Sequence, residues 1–181
     1  MNTSTRLWLT EAAHTTMTTA AAQAHPDETG GILIGVYQDG HPWVITAIEI
    51  PTVDRGRSHY RIPGGTDHPA VLKARTADHR LGYLGDWHSH PHDVGHSPTD
   101  LASLALISIT TPRQPNPTQI VVRRTDHGYT LDARRIVTLI PRACTVTLTG
   151  GLRGQTPRND HRDHPTNGPH APTTDLPGAP A

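Results

Sequence analysis

The period of apolar and polar positions changes along the chain, and the pattern predicts helices and strands in a mixed order. An alanine-rich segment after Thr10, a good N-cap residue, predicts the first helix. Residues 29–51 contain two β-branched apolar runs separated by Asp39-Gly40, a dipeptide typical of hairpin turns. In residues 68–80, alanine and valine recur at helical spacing, which predicts a second helix.

The next part of the chain predicts a strand, a helix and three more strands. Residues 81–87 are apolar and aromatic, so they predict a strand. Residues 98–111 predict an apolar helix that Pro112 ends. The later strands are predicted in residues 118–124, 128–133 and 136–141. This order predicts one α/β domain, with a mixed, curved sheet flanked by about three helices.

The composition changes from residue 150 onward. Pro, Gly, His and Asp dominate residues 150–181, and no apolar face recurs there. Such a segment buries too little apolar surface to offset the entropy lost on ordering. We therefore predict a single domain in residues 1–149 and a disordered tail in residues 150–181.

The charge balance argues against two classes of partner. Sixteen basic and 16 acidic residues give a formal net charge of zero, without a basic stripe or a run of like charges. We therefore expect neither nucleic acid nor an anionic membrane as a partner. The first residues lack a continuous apolar segment, and no stretch approaches the roughly 20 apolar residues of a membrane helix. These features favour the cytoplasm.

Cys144 is the only cysteine of the chain, so neither an internal disulfide nor a zinc site built from thiolates is possible. It lies within an apolar run, "LIPRACTVTL". We expect a buried and unreactive thiol rather than a nucleophile.

A histidine pair follows directly after the strand predicted in residues 81–87. His88 and His90 are two residues apart, so in an extended segment both imidazoles project to the same side. The chain contains 14 histidines, however, and a His-x-His pair is expected by chance roughly once in such a composition. The pair alone therefore does not indicate a site.

The segment "SPTD" after the pair supports two interpretations. Ser97 as N-cap, Pro98 and Asp100 are typical of a helix start with a capping box. The same helix start, folded back onto the strand end, would bring the Asp100 carboxylate to the two imidazoles. Two histidines and one carboxylate, with a fourth position left to water, are the ligands of a catalytic zinc.

Glu28 is a candidate for the base that hydrolysis by such a site requires. It lies at the predicted junction of a helix and a strand, and the glycines that follow allow another segment to come close. The alternative is an exposed carboxylate at a turn.

Taken together, Glu28 in "ETGGILIG", then "HSHP", then "SPTD", resemble the JAMM motif of the MPN+ (JAB) zinc metalloprotease family, prokaryotic branch. The resemblance covers the chain up to the tail and implies a single MPN domain with a JAB-like, cytidine-deaminase-like fold. It implies one zinc per chain, with His88, His90 and Asp100 as its ligands. It also implies Glu28 as general base and then general acid, and Ser97 as a group that stabilises the oxyanion.

The resemblance further implies a substrate class. Such enzymes hydrolyse the bond after the C-terminal glycine of a ubiquitin-like or sulfur-carrier protein, in deconjugation or precursor processing. The connection in residues 54–65 either contacts the tail of that substrate or is an ordinary loop. Two alternatives are a non-catalytic MPN interaction module and a JAMM hydrolase of small peptide or amino-acid conjugates. The presence of all five motif residues argues against the module.

One spacing departs from the commonest form of the family. Six residues separate His90 from Ser97, where seven are usual. We expect a tighter turn that keeps the site. If the shorter loop moved Asp100 away, His92 or His96 would be the substitute ligand.

Overall fold

The computed structural model describes the chain in residues 5–63, 69–111, 113–114 and 116–150. The elements, in chain order, are β1 (Thr5–Thr10), α1 (Glu11–Ala24), β2 (Gly30–Gln38), β3 (His41–Glu49), β4 (Arg55–Gly56), β5 (His59–Tyr60), α2 (Pro69–Ala77), β6 (Gly82–His90), α3 (Pro98–Thr110), β7 (Thr118–Thr125), β8 (Gly128–Val137) and β9 (Ile140–Thr149). Apart from Gly150, the predicted tail lies outside the described residues.

Seven strands form one mixed sheet in the order β1-β3-β2-β6-β7-β8-β9, and the sheet closes because β1 also pairs with β9. The pairs β1/β3, β1/β9 and β6/β7 are parallel, whereas β2/β3, β2/β6, β7/β8 and β8/β9 are antiparallel. The predicted α/β domain, with a mixed sheet and three helices, is confirmed.

Helix α1 supplies much of the apolar core. It begins where the Thr10 hydroxyl accepts a hydrogen bond from the Ala13 N–H, at 3.1 Å, as the sequence predicts. Ala13, Met17, Ala20 and Ala21 form its buried face, which packs against residues of the sheet. No helix among the described residues has both the length and the apolarity needed to cross a membrane.

Strand β6 lies in the middle of the sheet, between β2 and β7. Gly85 makes the close packing possible, because a Cβ there would lie 1.7 Å from the Thr118 carbonyl oxygen. Its φ of 147° is also one that residues with a side chain rarely adopt. Helix α3 then makes the crossover from β6 to the parallel strand β7.

Two strand boundaries differ from the prediction. Residues 136–141, predicted as one strand, contain the turn between β8 and β9, with Thr138 and Leu139 at φ 51° and 64°. A β-branched and an aliphatic residue are poor formers of such a turn, so the sequence gives little sign of it. By contrast, the turn predicted at Asp39-Gly40 is present, with φ 50° and 76°.

Three further strands, β1, β4 and β5, were absent from the prediction. β1 closes the sheet, although its six residues carry only a brief apolar alternation. The connection after β3, predicted to be polar and irregular, contains the small hairpin of β4 and β5. The strand predicted in residues 81–87 also continues to His90, so both histidines belong to β6 itself.

Candidate metal centre

The end of β6 positions the two imidazoles. His88 and His90 are 8% and 7% exposed, and their Nε2 atoms are 3.1 Å apart. His90 Nδ1 lies 2.9 Å from the Val94 carbonyl oxygen. Since a carbonyl only accepts hydrogen bonds, the His90 proton is on Nδ1, and the lone pair of Nε2 is free to bind a metal.

The start of α3 brings the carboxylate. Ser97 N–H donates to Asp100 Oδ2 at 2.6 Å, and Asp100 N–H donates to Ser97 Oγ at 3.1 Å. The capping box is therefore present, and it holds the carboxylate in place. Asp100 Oδ1 lies 3.3 Å from His88 Nε2, and Oδ2 lies 3.6 Å from His90 Nε2. The two interpretations of "SPTD" are compatible.

These residues fit a metal ion. His88, His90 and Asp100 each offer one ligand atom, and the three atoms lie within 4.8 Å of one another. Two imidazole nitrogens and one carboxylate oxygen are donors that zinc and similar transition metals accept. The two Nε2 atoms face each other at 3.1 Å, an arrangement that either one shared proton or a shared cation satisfies.

The protonation states favour metal binding. Burial opposes ionisation of Asp100, but the hydrogen bond and charge of His88 and the hydrogen bonds of Ser97 outweigh it and hold the pKa of Asp100 below its usual value. Burial lowers the pKa of His90, so its ring is neutral near pH 7. An ionised carboxylate and a neutral imidazole are the forms that bind metal.

Glu28 lies beside these three residues and is not exposed at a turn. Its side chain is buried, and its Oε1 is 4.0 Å from His90 Nε2. Burial raises the pKa of Glu28 to about 7, while His88 lowers it and Asp100 raises it. A carboxyl group that titrates near neutral pH can both accept and return a proton.

The backbone fixes Glu28 against β6. Thr29 N–H donates to Ser89 Oγ at 3.0 Å, and Ser89 N–H donates to the Thr29 carbonyl at 2.7 Å. Gly30 permits this approach, since a Cβ there would lie 2.4 Å from the Trp87 carbonyl oxygen. The serine between the two histidines therefore holds the segment that carries Glu28, just before β2.

The loop between His90 and Ser97 keeps Asp100 at the site despite its shorter length. His92 is exposed, and His96 packs away from solvent with Nδ1 3.2 Å from Asp132 Oδ2 on β8. His96 thus ties the loop to the sheet instead of replacing Asp100. Sequence reasoning missed Asp132, because no local pattern relates positions 36 residues apart.

Cys144 lies on β9, half-buried rather than fully buried, and packs against the apolar core. Burial raises the pKa of its thiol to about 12, so almost no thiolate forms near pH 7. The expected lack of reactivity agrees with this environment.

A cleft of about 890 Å³ leads to the candidate metal ligands. The hairpin of β4 and β5 lines one side, α3 lines another, and β6 forms the floor. Glu28, the two histidines, Ser97 and Asp100 all line it. The five residues singled out in the sequence therefore share one cavity.

The family of prokaryotic homologues of the JAB domain matches residues 10–136, which is more than half of the chain. The chain belongs to the prokaryotic JAB family. The predicted family is confirmed, and so is a metalloprotease of the JAB type, with His88, His90 and Asp100 as its candidate metal site.

Two similar proteins accompany this match. The probable metalloprotease y4qB of Sinorhizobium fredii is 29% identical in an alignment of 140 positions, which covers 64% of this JAB chain and 74% of that protein. The solution structure of protein DSY2949 from Desulfitobacterium hafniense has a TM-score of 0.60 at 20% identity, covering 81% of this chain and 95% of the other. The second similarity concerns the fold alone.

Proposed function

We propose that this JAB domain is a zinc hydrolase that cleaves the bond after the C-terminal glycine of a ubiquitin-like or sulfur-carrier protein. The main support is the placement of a buried carboxyl group, Glu28, next to two histidines and an aspartate whose ligand atoms converge. A non-catalytic interaction module has no need of a base held at this position.

His88, His90 and Asp100 would hold one zinc ion per chain, leaving room for water and substrate. Zinc supplies Lewis acidity, which polarises a carbonyl group and makes water more acidic. Glu28 takes the proton of the attacking water and passes it to the departing amine, and its burial, which favours the neutral carboxyl group, helps it to hold the proton between the two transfers.

Ser97 is suited to stabilise the oxyanion. Its Oγ already accepts a hydrogen bond from the Asp100 N–H, and its backbone N–H donates to the Asp100 carboxylate. The hydroxyl proton of Ser97 is left to donate toward charge that develops on the substrate carbonyl. The capping box thus holds both the Ser97 hydroxyl, as hydrogen-bond donor, and the Asp100 carboxylate, as proposed metal ligand, at the first turn of α3.

The low exposure of these groups favours a substrate segment without bulky side chains at the bond that is cleaved. The side chains of His88, His90 and Asp100 are 10%, 8% and 17% exposed, so glycine residues bring a peptide bond closest to them. A C-terminal Gly-Gly segment meets that requirement. The β4–β5 hairpin lines the cleft and is available to contact the tail that precedes it.

The first test combines metal analysis with hydrolysis of a ubiquitin-like protein fused through its C-terminal glycine to a reporter peptide. We expect about one zinc per chain. Glu28→Gln should retain the zinc and lose at least roughly a hundredfold in turnover, because it removes only the proton carrier. His88→Ala should lose both zinc and turnover. Glu11→Gln, at an exposed position in the first turn of α1, is the matched control and should change neither.

Each other outcome contradicts a particular part of the proposal. Absence of zinc after loading would exclude the metal centre, and retained turnover in Glu28→Gln would exclude its role as base. Cleavage of short Gly-Gly peptides but not of the protein fusion would favour the hydrolase of small conjugates. Zinc binding without cleavage of either probe would favour the interaction module.

A further inference from the structure

A second carboxylate lies in the cleft, outside the proposed metal ligands and proton carrier. Asp86 precedes His88 by two residues on β6, so both side chains project from the same face of the strand. Asp86 lines the same cleft. Tyr83 O–H donates to Asp86 Oδ1 at 2.7 Å, which occupies one of roughly four acceptor positions of a carboxylate.

Gln119 adds a second acceptor next to Asp86. The parallel pairing of β6 and β7 places Gln119 directly beside Asp86, and Gln119 also lines the cleft. Gln119 is 5% exposed, and its Oε1 is buried without a hydrogen-bond partner among the described residues. A buried oxygen without a donor is unfavourable and needs an explanation.

Asp86 forms no ion pair within the part of the chain that the structure describes, and His88 acts on it only through its charge. The other acidic residues of the cleft lie within 4.0 Å of basic groups: Asp54 pairs with His59 and Arg61, and Glu28 and Asp100 pair with the histidines of the candidate metal centre. A half-buried carboxylate without an ion-pair partner therefore lies next to an unsatisfied amide oxygen. Both groups accept hydrogen bonds, and a ligand that satisfies both must donate several.

We propose that Asp86 and Gln119 form a subsite for a positively charged group of the substrate, a lysine or arginine side chain or a free amino group. The inference rests on the proposed hydrolase function, because the subsite lies in the same cleft as the metal centre. Two residues of extended strand span roughly 7 Å. The cation bound by Asp86 therefore belongs to a residue one or two positions from the bond that is cleaved, and the subsite selects substrates with a basic residue there.

Binding of matched peptides tests the subsite. The probes are acetyl-Gly-Gly-Lys-amide and acetyl-Lys-Gly-Gly-amide, which place the cation on either side of a glycine segment. Their counterparts carry norleucine, which keeps the aliphatic chain and lacks the ammonium group. Dissociation constants are measured by calorimetry or NMR titration with the full-length, zinc-loaded Glu28→Gln protein, which should not cleave them.

We expect at least one lysine peptide to bind roughly tenfold tighter, or more, than its norleucine counterpart, as charge-assisted hydrogen bonds allow. Introduced into this protein, Asp86→Asn should reduce the ratio to about one. Asp54→Asn, which removes a carboxylate from the rim of the same cleft, is the matched control and should leave the ratio unchanged.

Gln119→Lys is a second, independent variant. The ammonium group of the introduced lysine would occupy the subsite, so this variant should also lose the preference for lysine over norleucine peptides. Equal binding of lysine and norleucine peptides by the Glu28→Gln protein overturns the proposal, whether or not either variant folds. A preference that survives in folded Asp86→Asn overturns it as well.

The experiment separates this inference from the proposed function. The ratio of dissociation constants requires no turnover, so a lysine preference without hydrolysis would support the subsite while the proposed function fails. Hydrolysis of the ubiquitin-like fusion together with equal peptide binding would support the function and exclude the subsite.

Discussion

Glu28 shows how a single residue can serve chemistry at the expense of stability. Its carboxyl group is buried, and burial raises its pKa from the usual 4.5 to about 7. Such a shift means that the folded protein holds the proton more tightly than the unfolded chain does. Below pH 4.5 both states are protonated, so Glu28 carries no penalty there. From pH 4.5 to about 7 the unfolded chain ionises first, and the fold is progressively destabilised.

We therefore predict that metal-free Glu28→Gln is more stable than the parent protein at pH 8 and equally stable at pH 4. The amide keeps the size of the side chain and never ionises, so it removes the penalty that grows between these two values. Urea unfolding of the metal-free proteins at both pH values measures the difference.

Glu11→Gln provides the contrast for this comparison. Glu11 is exposed in the first turn of α1, where a negative charge interacts favourably with the helix N-terminus. Glu11→Gln should therefore not increase the free energy of unfolding at pH 8. Equal stability of Glu28→Gln and the parent protein at pH 8 would show that Glu28 is not buried as described.

At the scale of the element, the start of α3 performs two tasks with the same two side chains. Ser97 caps the helix and, in the proposed mechanism, donates to the oxyanion, while Asp100 completes the box and reaches the histidines. The capping box and the metal ligand were rival interpretations of the sequence. They are compatible because a capping box immobilises the carboxylate that it uses.

Ser97→Ala should therefore affect both stability and catalysis. Loss of an N-cap lowers the free energy of unfolding by about 1 kcal/mol. Thr10→Ala removes the corresponding cap of α1 and should produce a loss of similar size. Only Ser97→Ala should also reduce kcat, whereas Ser97→Thr, which keeps a hydroxyl group, should recover part of it. Equal kcat values in the two alanine variants would reduce Ser97 to a structural role.

The elements also show which parts of the fold could be predicted from the sequence. Alternation along β6 is local, and it correctly places both histidines on one face. The same rule applied two residues earlier would have found Asp86. The turn at Thr138 and Leu139 could not be found this way, because the pairing of Val137 with Ile140 across the turn holds both residues at positive φ against their local preference.

Contacts between residues that are distant in sequence are harder to predict than alternation along one strand. His96 and Asp132 meet only because α3 and β7 return the chain to the sheet, and Asp86 meets Gln119 only through the register of β6 and β7. The sequence likewise indicates which residue types could bind a metal. The distance of 3.3 Å between Asp100 Oδ1 and His88 Nε2 depends on the fold, so local patterns could not predict it.

At the scale of the whole molecule, β1 determines whether the sheet is closed. It pairs in parallel with β3 on one side and β9 on the other, and Leu7 and Leu9 are fully buried in the core. Leu9→Ala should lower the free energy of unfolding by about 2–5 kcal/mol, as expected for a buried leucine that leaves a cavity. Leu148 is the register partner of Leu9 on β9 and is half exposed, so Leu148→Ala should have a far smaller effect.

Removal of the C-terminal segment, residues 151–181, should not change the stability of the domain. A protein that ends after Gly150 keeps the whole of β9, including Thr149, whose hydroxyl accepts a hydrogen bond from Trp43 Nε1 at 3.2 Å. The removed segment has no periodic apolar face, so we expect its loss to leave the urea midpoint and the slope of the unfolding transition unchanged. A lower midpoint would mean that residues 151–181 contribute contacts to the domain, and a smaller slope would mean that they bury surface on folding. Either result would contradict the predicted disorder of the tail. The decrease in the free energy of unfolding of Leu9→Ala, measured in the same way, shows how large the effect of lost core contacts is.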